Sequence, residues 1–217
     1  MRKKFMPKTK VINASLRNRR QSAQAASSQP KPNDAFVELH DFVFGDGETL
    51  AALTLHYLTL GTPRRDANAA IDNGILLLHG TAGSAADLVQ APFFDALYGA
   101  GEPLDLSRYF LVIPDAIGAG GSSKPSDGLR AHFPHYGYKD QVRAQRLLLE
   151  KIDIRHLKLV LGTSMGGMQT WLWGEMFPND MDCLVAIAST PAAISGRNMM
   201  WREMISQATR DDQPSHS

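Results

Sequence analysis

The stretch LVLGTSMGGMQTW, residues 159–171, decides the fold. An apolar run ends at Gly162, and Ser164 stands between small residues before a second apolar run begins. A strand that runs directly into a helix forces the residue at the turn into a strained conformation, so the positions two before and two after it must lack bulk. Gly162 and Gly166 meet that requirement. The pattern therefore predicts a nucleophile elbow with Ser164 at its tip.

Other apolar runs of the same kind occur along the chain, and such runs are typical of strands buried on both faces of a parallel sheet. They cover residues 75–80, 109–115, 157–162 and 183–189. Helical patterns are predicted over residues 85–98, 138–151, 165–177 and 198–209. An alternating pattern over residues 35–44 and 50–60, separated by the turn GDGE, predicts an antiparallel hairpin before them. Strands that alternate with helices predict an α/β class with a doubly wound, mostly parallel sheet.

The two ends of the chain differ in composition from its body. Residues 1–33 carry nine Lys or Arg and no acid, so the rest holds 14 basic against 22 acidic residues. We expect a disordered basic tail over residues 1–34, one incomplete domain over 35–210 and a polar tail over 211–217. The tail lacks the interleaved aromatic residues of a nucleic-acid-binding module, so no nucleic-acid partner is expected.

The sequence also bears on membrane association, location and cysteine chemistry. No run approaches the roughly 20 apolar residues of a membrane span, so no span is predicted. A cytoplasmic location is expected, although the Arg-rich, Ser-containing N-terminus also resembles an exported or organellar leader. The single cysteine, Cys183, excludes an internal disulfide, and its apolar run predicts that it packs as a small buried residue. No metal-ligand spacing of His, Asp and Glu is present, so no metal is predicted.

A loop that follows the first apolar run, HGTAG at residues 79–83, can supply a backbone N–H to an acyl oxyanion. The expected oxyanion hole consists of the N–H groups of Thr81 and Met165, the second being the residue after the serine. For His79 we favour a role in bracing this loop over a catalytic one. Two other glycine-rich sites are excluded. The phosphate-binding pattern GxxxxGK[ST] is absent, and Ser123 replaces the third glycine of a dinucleotide-binding fingerprint.

These motifs together resemble the α/β-hydrolase superfamily. The resemblance rests on His79-Gly80, on DAIGAGGSSKP at residues 115–125, and on the elbow itself. Within the superfamily, GTSMGGMQ at residues 162–169, with FP at 133–134 and DQVRAQ at 140–145, is similar to the homoserine O-acetyltransferase branch, which also holds esterase-like proteins. The resemblance covers roughly residues 36–208.

The resemblance implies a function and a set of partners. A serine, here Ser164, would attack an acyl donor and pass the acyl group to an alcohol or to water. The implied partners are a small-molecule ester or acyl-CoA and an alcohol acceptor, with acetyl-CoA as a possible donor substrate and no bound cofactor. Arg197 lies in ISGRNMMW, residues 194–201, which resembles the entry to the family's lid; it is a candidate for binding a substrate carboxylate, although a structural salt bridge is favoured.

The resemblance also implies an acid and a histidine after the serine, on loops that follow later strands. Only 53 residues follow Ser164, with His216 as their single histidine. His132 and His135 are expected at the surface, His40 and His56 away from the strand ends, and His156 at the wrong end of the sheet. We therefore expect an incomplete triad, a fold truncated after about the sixth strand, and weak or absent activity.

The competing interpretation is a non-enzymatic remnant or half-domain. Its last apolar strand would be an exposed sheet edge through which the chain could self-associate.

Overall fold

The structure is a computed structural model that describes residues 29–211. Most of the predicted basic tail and nearly all of the polar tail, including His216 and Asp212, lie outside the described residues.

A single mixed sheet holds the six strands of the described residues, in the order β1-β2-β4-β3-β5-β6. The first two strands pair antiparallel, β2 pairs antiparallel with β4, and β3, β4, β5 and β6 run parallel. The strands are β1 Asn33–Val43, β2 Thr49–Leu60, β3 Gly74–Leu78, β4 Phe110–Pro114, β5 Leu159–Thr163 and β6 Leu184–Ile187. The predicted α/β class, with an antiparallel hairpin joined to a parallel sheet, is confirmed.

The helices are α1 Ala91–Phe93, α2 Tyr138–Lys151, α3 Met165–Met176 and α4 Gly196–Asp211. The single helix predicted over residues 85–98 is wrong. That segment is a 3₁₀ turn, the short α1 and a π turn, Phe94–Tyr98. Pro92 lacks the N–H that a continuous helix needs, so it permits a new start but no continuation.

Hydrophobic residues pack on both faces of the sheet. Along β4, Val112 belongs to the cluster that includes Trp173 of α3, and the adjacent Leu111 belongs to the cluster that includes Phe94. Successive side chains of a strand point to opposite faces, so a strand covered on both sides reads as an unbroken apolar run. Helices α2 and α3 cover one face, and the segment from Ala85 to Leu104 covers the other.

The sheet edge at β6 departs from the prediction. Leu184 packs against the cluster that contains α3, but Val185 and Ile187 are 36% and 49% exposed. Cys183 is also exposed, so its predicted burial is wrong. An apolar run fails to distinguish a strand covered on both faces from one covered on a single face, and within residues 29–211 only one face of β6 is covered.

Candidate active site

Ser164 occupies the turn between β5 and α3 in a strained backbone conformation. Its φ is 54° and its ψ is −113°, and positive φ is uncommon for a residue with a side chain. The Ser164 N–H donates to the Ile187 carbonyl over 2.9 Å, and the Ser164 carbonyl accepts from the Met168 N–H over 3.0 Å. These contacts hold the turn from both sides while the residue itself stays exposed.

The flanking glycines allow two backbones to meet. A Cβ at Gly162 would lie 2.1 Å from the Gly166 carbonyl oxygen, and a Cβ at Gly166 would lie 2.3 Å from the Leu78 carbonyl oxygen. Neither distance is possible for a real side chain. The start of α3 therefore lies directly against the end of β3, and this approach brings the loop after β3 to the serine.

That loop lies beside the serine side chain. A Cβ at Gly80 would be 3.6 Å from the Ser164 Cβ. Across the described part of the chain, neither the Thr81 N–H nor the Met165 N–H donates to a protein acceptor. Both residues line one cleft of about 350 Å³. Met165 is also the first residue of α3, where unsatisfied amides and the helix dipole favour negative charge.

His79 joins this loop to the loop after β4. The side chain is buried; Nδ1 lies 2.8 Å from the Gly80 carbonyl oxygen, and Nε2 accepts the Ala116 N–H over 3.0 Å. These two contacts define the tautomer, with the proton on Nδ1. Both ring nitrogens are thus engaged by backbone groups, which is the arrangement that a bracing role requires.

A larger cleft flanks the next turn of α3. It measures about 590 Å³, and Met168, Trp171 and Leu172 line it together with residues 190–194. Glu175 is the only charged residue of its lining. Tyr138, at the start of α2, lines both clefts. The two clefts therefore border the start of α3. The smaller cleft presents backbone polar groups, and the larger is lined mostly by apolar side chains.

Tyr136 lines the smaller cleft. The residue is 38% exposed, and its partial burial raises the pKa of the phenol above the ordinary value. The phenol is therefore protonated at neutral pH, so it can donate a hydrogen bond but is a poor general base.

No histidine within residues 29–211 hydrogen-bonds to Ser164. His132 and His135 are exposed beside the 3₁₀ turn that precedes α2. His40 pairs with Glu38 on β1, and His156 pairs with Asp182 ahead of β5. The base that would take the serine proton is thus not placed by the described residues.

The expectation for His56 is wrong. Its carbonyl accepts the Asp115 N–H over 2.9 Å, and its Nδ1 lies 2.6 Å from the Asp115 Oδ2. It therefore stands at the carboxyl end of β4, because β2 runs antiparallel beside that strand. Three strand spacings separate β2 from β5, about 14 Å, so the ring does not reach Ser164.

Arg197 is the second residue of α4, is exposed, and lines neither cleft. The structure thus brings together Ser164, Met165 and Thr81 but not Arg197. Sequence reasoning missed Asp115 and His56 as neighbours. The position of Asp115 directly after a buried strand was a signal for the carboxylate, but no local pattern marks its pairing with a residue 59 positions away.

The family model described as "alpha/beta hydrolase fold" matches residues 73–213. A homoserine O-acetyltransferase of Pelobacter propionicus is 38% identical over 160 residues, which are 67% of this chain and 42% of that protein. A probable acyltransferase of Methanothermobacter thermautotrophicus is 30% identical over 158 residues, 72% of this chain and 48% of that protein.

Solved structures agree on the architecture. An acetylester hydrolase from Corynebacterium glutamicum superposes with a TM-score of 0.71 at 26% identity, covering 83% of this chain and 50% of that one. The family model matches more than half of the chain, and the chain belongs to the α/β-hydrolase fold family. It spans about half the length of the curated relatives it matches.

Among residues 29–211, no cluster of His, Cys, Asp and Glu is arranged to hold a metal ion. In the same range, no helix has the length and apolar character needed to cross a membrane.

Proposed function

We propose that this chain carries serine-based acyl transfer of the α/β-hydrolase type, with Ser164 as nucleophile. The observation that supports this most strongly is the strained, exposed Ser164 beside two N–H groups, those of Thr81 and Met165, that have no acceptor among residues 29–211. The serine oxygen forms a bond to the acyl carbon, and the developing oxyanion accepts hydrogen bonds from the two amides. The alcohol or thiol then leaves with a proton, and a second alcohol or water takes the acyl group from the serine.

We further propose that the 217 residues alone turn over slowly. A serine hydroxyl is a weak nucleophile until a base takes its proton, and none of the described histidines hydrogen-bonds to Ser164. The oxyanion donors alone retain part of the rate enhancement, as in enzymes whose triads have been removed. The acid and the histidine that the family resemblance implies are not among the described contacts of this site.

Within this class, ester hydrolysis fits the described surface better than transfer from acetyl-CoA to homoserine. The residues that line the two clefts include no Lys, Arg or His. The phosphates of CoA and the carboxylate of homoserine are anions that such side chains normally bind. A neutral ester requires no such partner, and the larger cleft offers apolar walls to its carbon chain.

The test is intact-mass analysis of the purified chain after treatment with a fluorophosphonate, beside a Ser164→Ala control. Stoichiometric labelling that disappears in the variant supports a reactive Ser164. No labelling of a folded sample would leave the competing proposal, a non-enzymatic half-domain. Parallel assays with p-nitrophenyl acetate and acetyl-CoA separate the donors, and we expect hydrolysis of the neutral ester only.

A further inference from the structure

The Asp115 carboxylate is the most enclosed acidic group near the candidate site, with a side chain only 2% exposed. Its Oδ1 accepts the Ala85 N–H over 2.6 Å. Its Oδ2 accepts the Gly121 N–H over 2.7 Å and lies 2.6 Å from the His56 Nδ1. One side chain thus connects the loop after β3, the loop after β4 and the first hairpin.

The loop after β3, residues 79–85, is attached at both ends to residues that follow β4. At its start, the His79 ring accepts the N–H of Ala116. At its end, Ala85 donates to Asp115. Thr81 lies between these two attachments, so the direction of its N–H depends on two consecutive residues after β4. A donor that is fixed before the reaction stabilises an oxyanion better than one that must first be ordered.

The Asp115 carboxylate is in turn held in one orientation. A Cβ at Gly120, where φ is +52°, would lie 1.9 Å from the Asp115 Oδ2, so the loop closes directly on the carboxylate. His56 contacts the same oxygen, and its Nε2 lies 3.1 Å from the Oδ1 of Asp34. Its ring also packs on Phe36, with centroids 4.9 Å apart. The hairpin thereby fixes a donor that orients the carboxylate.

We propose that Asp115 and His56 are positioning residues for acyl transfer at Ser164: they hold the loop that presents the Thr81 N–H to the oxyanion. The proposal rests on the proposed function of Ser164. Neither residue touches the reacting atoms, since β2, which carries His56, lies three strands from β5, and β4, which Asp115 follows, lies two strands from it. What His56 presents to Asp115 is one N–H donor at Nδ1, and an asparagine can place its amide N–H at nearly the same point.

The experiment compares His56→Ala with His56→Asn, and uses His156→Asn as the matched control. His156 also pairs with a carboxylate over 2.6 Å, but it lies ahead of β5 at the opposite end of the sheet. Amide hydrogen exchange of residues 80–86 reports how firmly the loop is held. The rate of fluorophosphonate labelling reports what that hold contributes to the reaction at Ser164.

We expect His56→Ala to raise exchange over residues 80–86 about tenfold and to slow labelling about tenfold, a part of what loss of a whole oxyanion donor costs. His56→Asn should restore both to within about twofold of the unsubstituted chain, and His156→Asn should change neither. A merely structural role would instead raise exchange throughout the sheet and would not depend on the donor at this point.

Three results would overturn the proposal: a folded His56→Ala with unchanged exchange in this loop, a His56→Asn as damaged as His56→Ala, or an equal change in His156→Asn. If His56→Ala fails to fold, Asp115→Asn decides in its place. That variant keeps the shape of the side chain but turns an NH₂ group toward the donors of Ala85 or of Gly121 and His56. If neither the variants nor the unsubstituted chain is labelled, the proposed function of Ser164 fails. The exchange data then still decide whether Asp115 and His56 hold the loop.

Discussion

The position of the Ser164 side chain requires a strained backbone conformation. Residues held in sparsely populated φ/ψ regions cost about 1–3 kcal/mol each, and they persist where the surrounding structure determines them. Here the determining contacts are the hydrogen bonds to Ile187 and Met168 and the close approach at Gly166. The strain therefore belongs to the site and should be measurable as lost stability.

We expect Ser164→Gly to raise the free energy of unfolding by about 1 kcal/mol, because glycine adopts positive φ without a steric penalty. Ser164→Ala keeps the Cβ and should leave the free energy of unfolding within about 0.5 kcal/mol of the original. Urea denaturation followed by circular dichroism measures both. A Ser164→Gly variant no more stable than Ser164→Ala would contradict the interpretation of stored strain.

Gly166, like Gly162, should not tolerate a side chain. Gly166→Ala would drive a Cβ to 2.3 Å from the Leu78 carbonyl oxygen, and we expect it to lower the free energy of unfolding by about 2–3 kcal/mol. The matched control is Gly99→Ala, at φ −66° and with 3.6 Å to its nearest neighbour. Equal stability of the two variants in chemical denaturation would show that the strand and helix separate without cost.

The sequence predicts most of the sheet, because burial of a strand on both faces leaves a continuous apolar run. β3 and β4 are buried at every position, and their runs were recognised directly. The start of α3 was recognised from its glycines. What local pattern could not supply is contact between distant segments: His56 meets Asp115 only because β2 pairs with β4, with Tyr57 opposite Pro114.

Helix α3 shows the same limit within one element. Its sequence is apolar nearly all round, so periodicity does not say which face is buried. In the structure Trp173 is fully buried, and its Nε1 donates to the Gln145 Oε1 over 2.9 Å, while Trp171 is 44% exposed in the larger cleft. The assignment of faces comes from packing against α2 and the sheet.

The two tryptophans therefore make a matched pair. We expect Trp173→Phe to lower the free energy of unfolding by about 2–3 kcal/mol, because it leaves a cavity and an unpaired buried amide oxygen. Trp171→Phe should change it by no more than about 0.5 kcal/mol. Thermal or urea unfolding of both variants gives the comparison, and similar losses in the two would show that the assigned faces are wrong.

The sheet formed by residues 29–211 has unlike edges. One is β1, a long strand of the antiparallel hairpin, and the other is the four-residue β6. Sheet edges offer unpaired backbone groups to other chains, and an apolar edge favours such pairing. Val185 and Ile187 make the β6 edge apolar as well as exposed.

We expect the purified chain to self-associate through β6, and Val185→Lys to suppress that association by placing a charge on the edge. Val43→Lys is the control, since Val43 is 47% exposed at the end of the other edge strand. Sedimentation velocity over a range of concentrations measures the effect. A sedimentation coefficient independent of concentration, or an equal response in the two variants, would exclude β6 as the interface.

The order of strands also determines when the hairpin can pair with the rest of the sheet during synthesis. The hairpin joins the sheet only through β4, where Leu60 pairs with Leu111, so it has no docking strand until about fifty further residues have been translated. At ribosomal rates of about 5–20 residues per second, that interval lasts roughly 3–10 s. Leu58 and Leu60, buried in the finished sheet, face water throughout it. We expect the nascent hairpin to be the segment of this chain that most needs a chaperone.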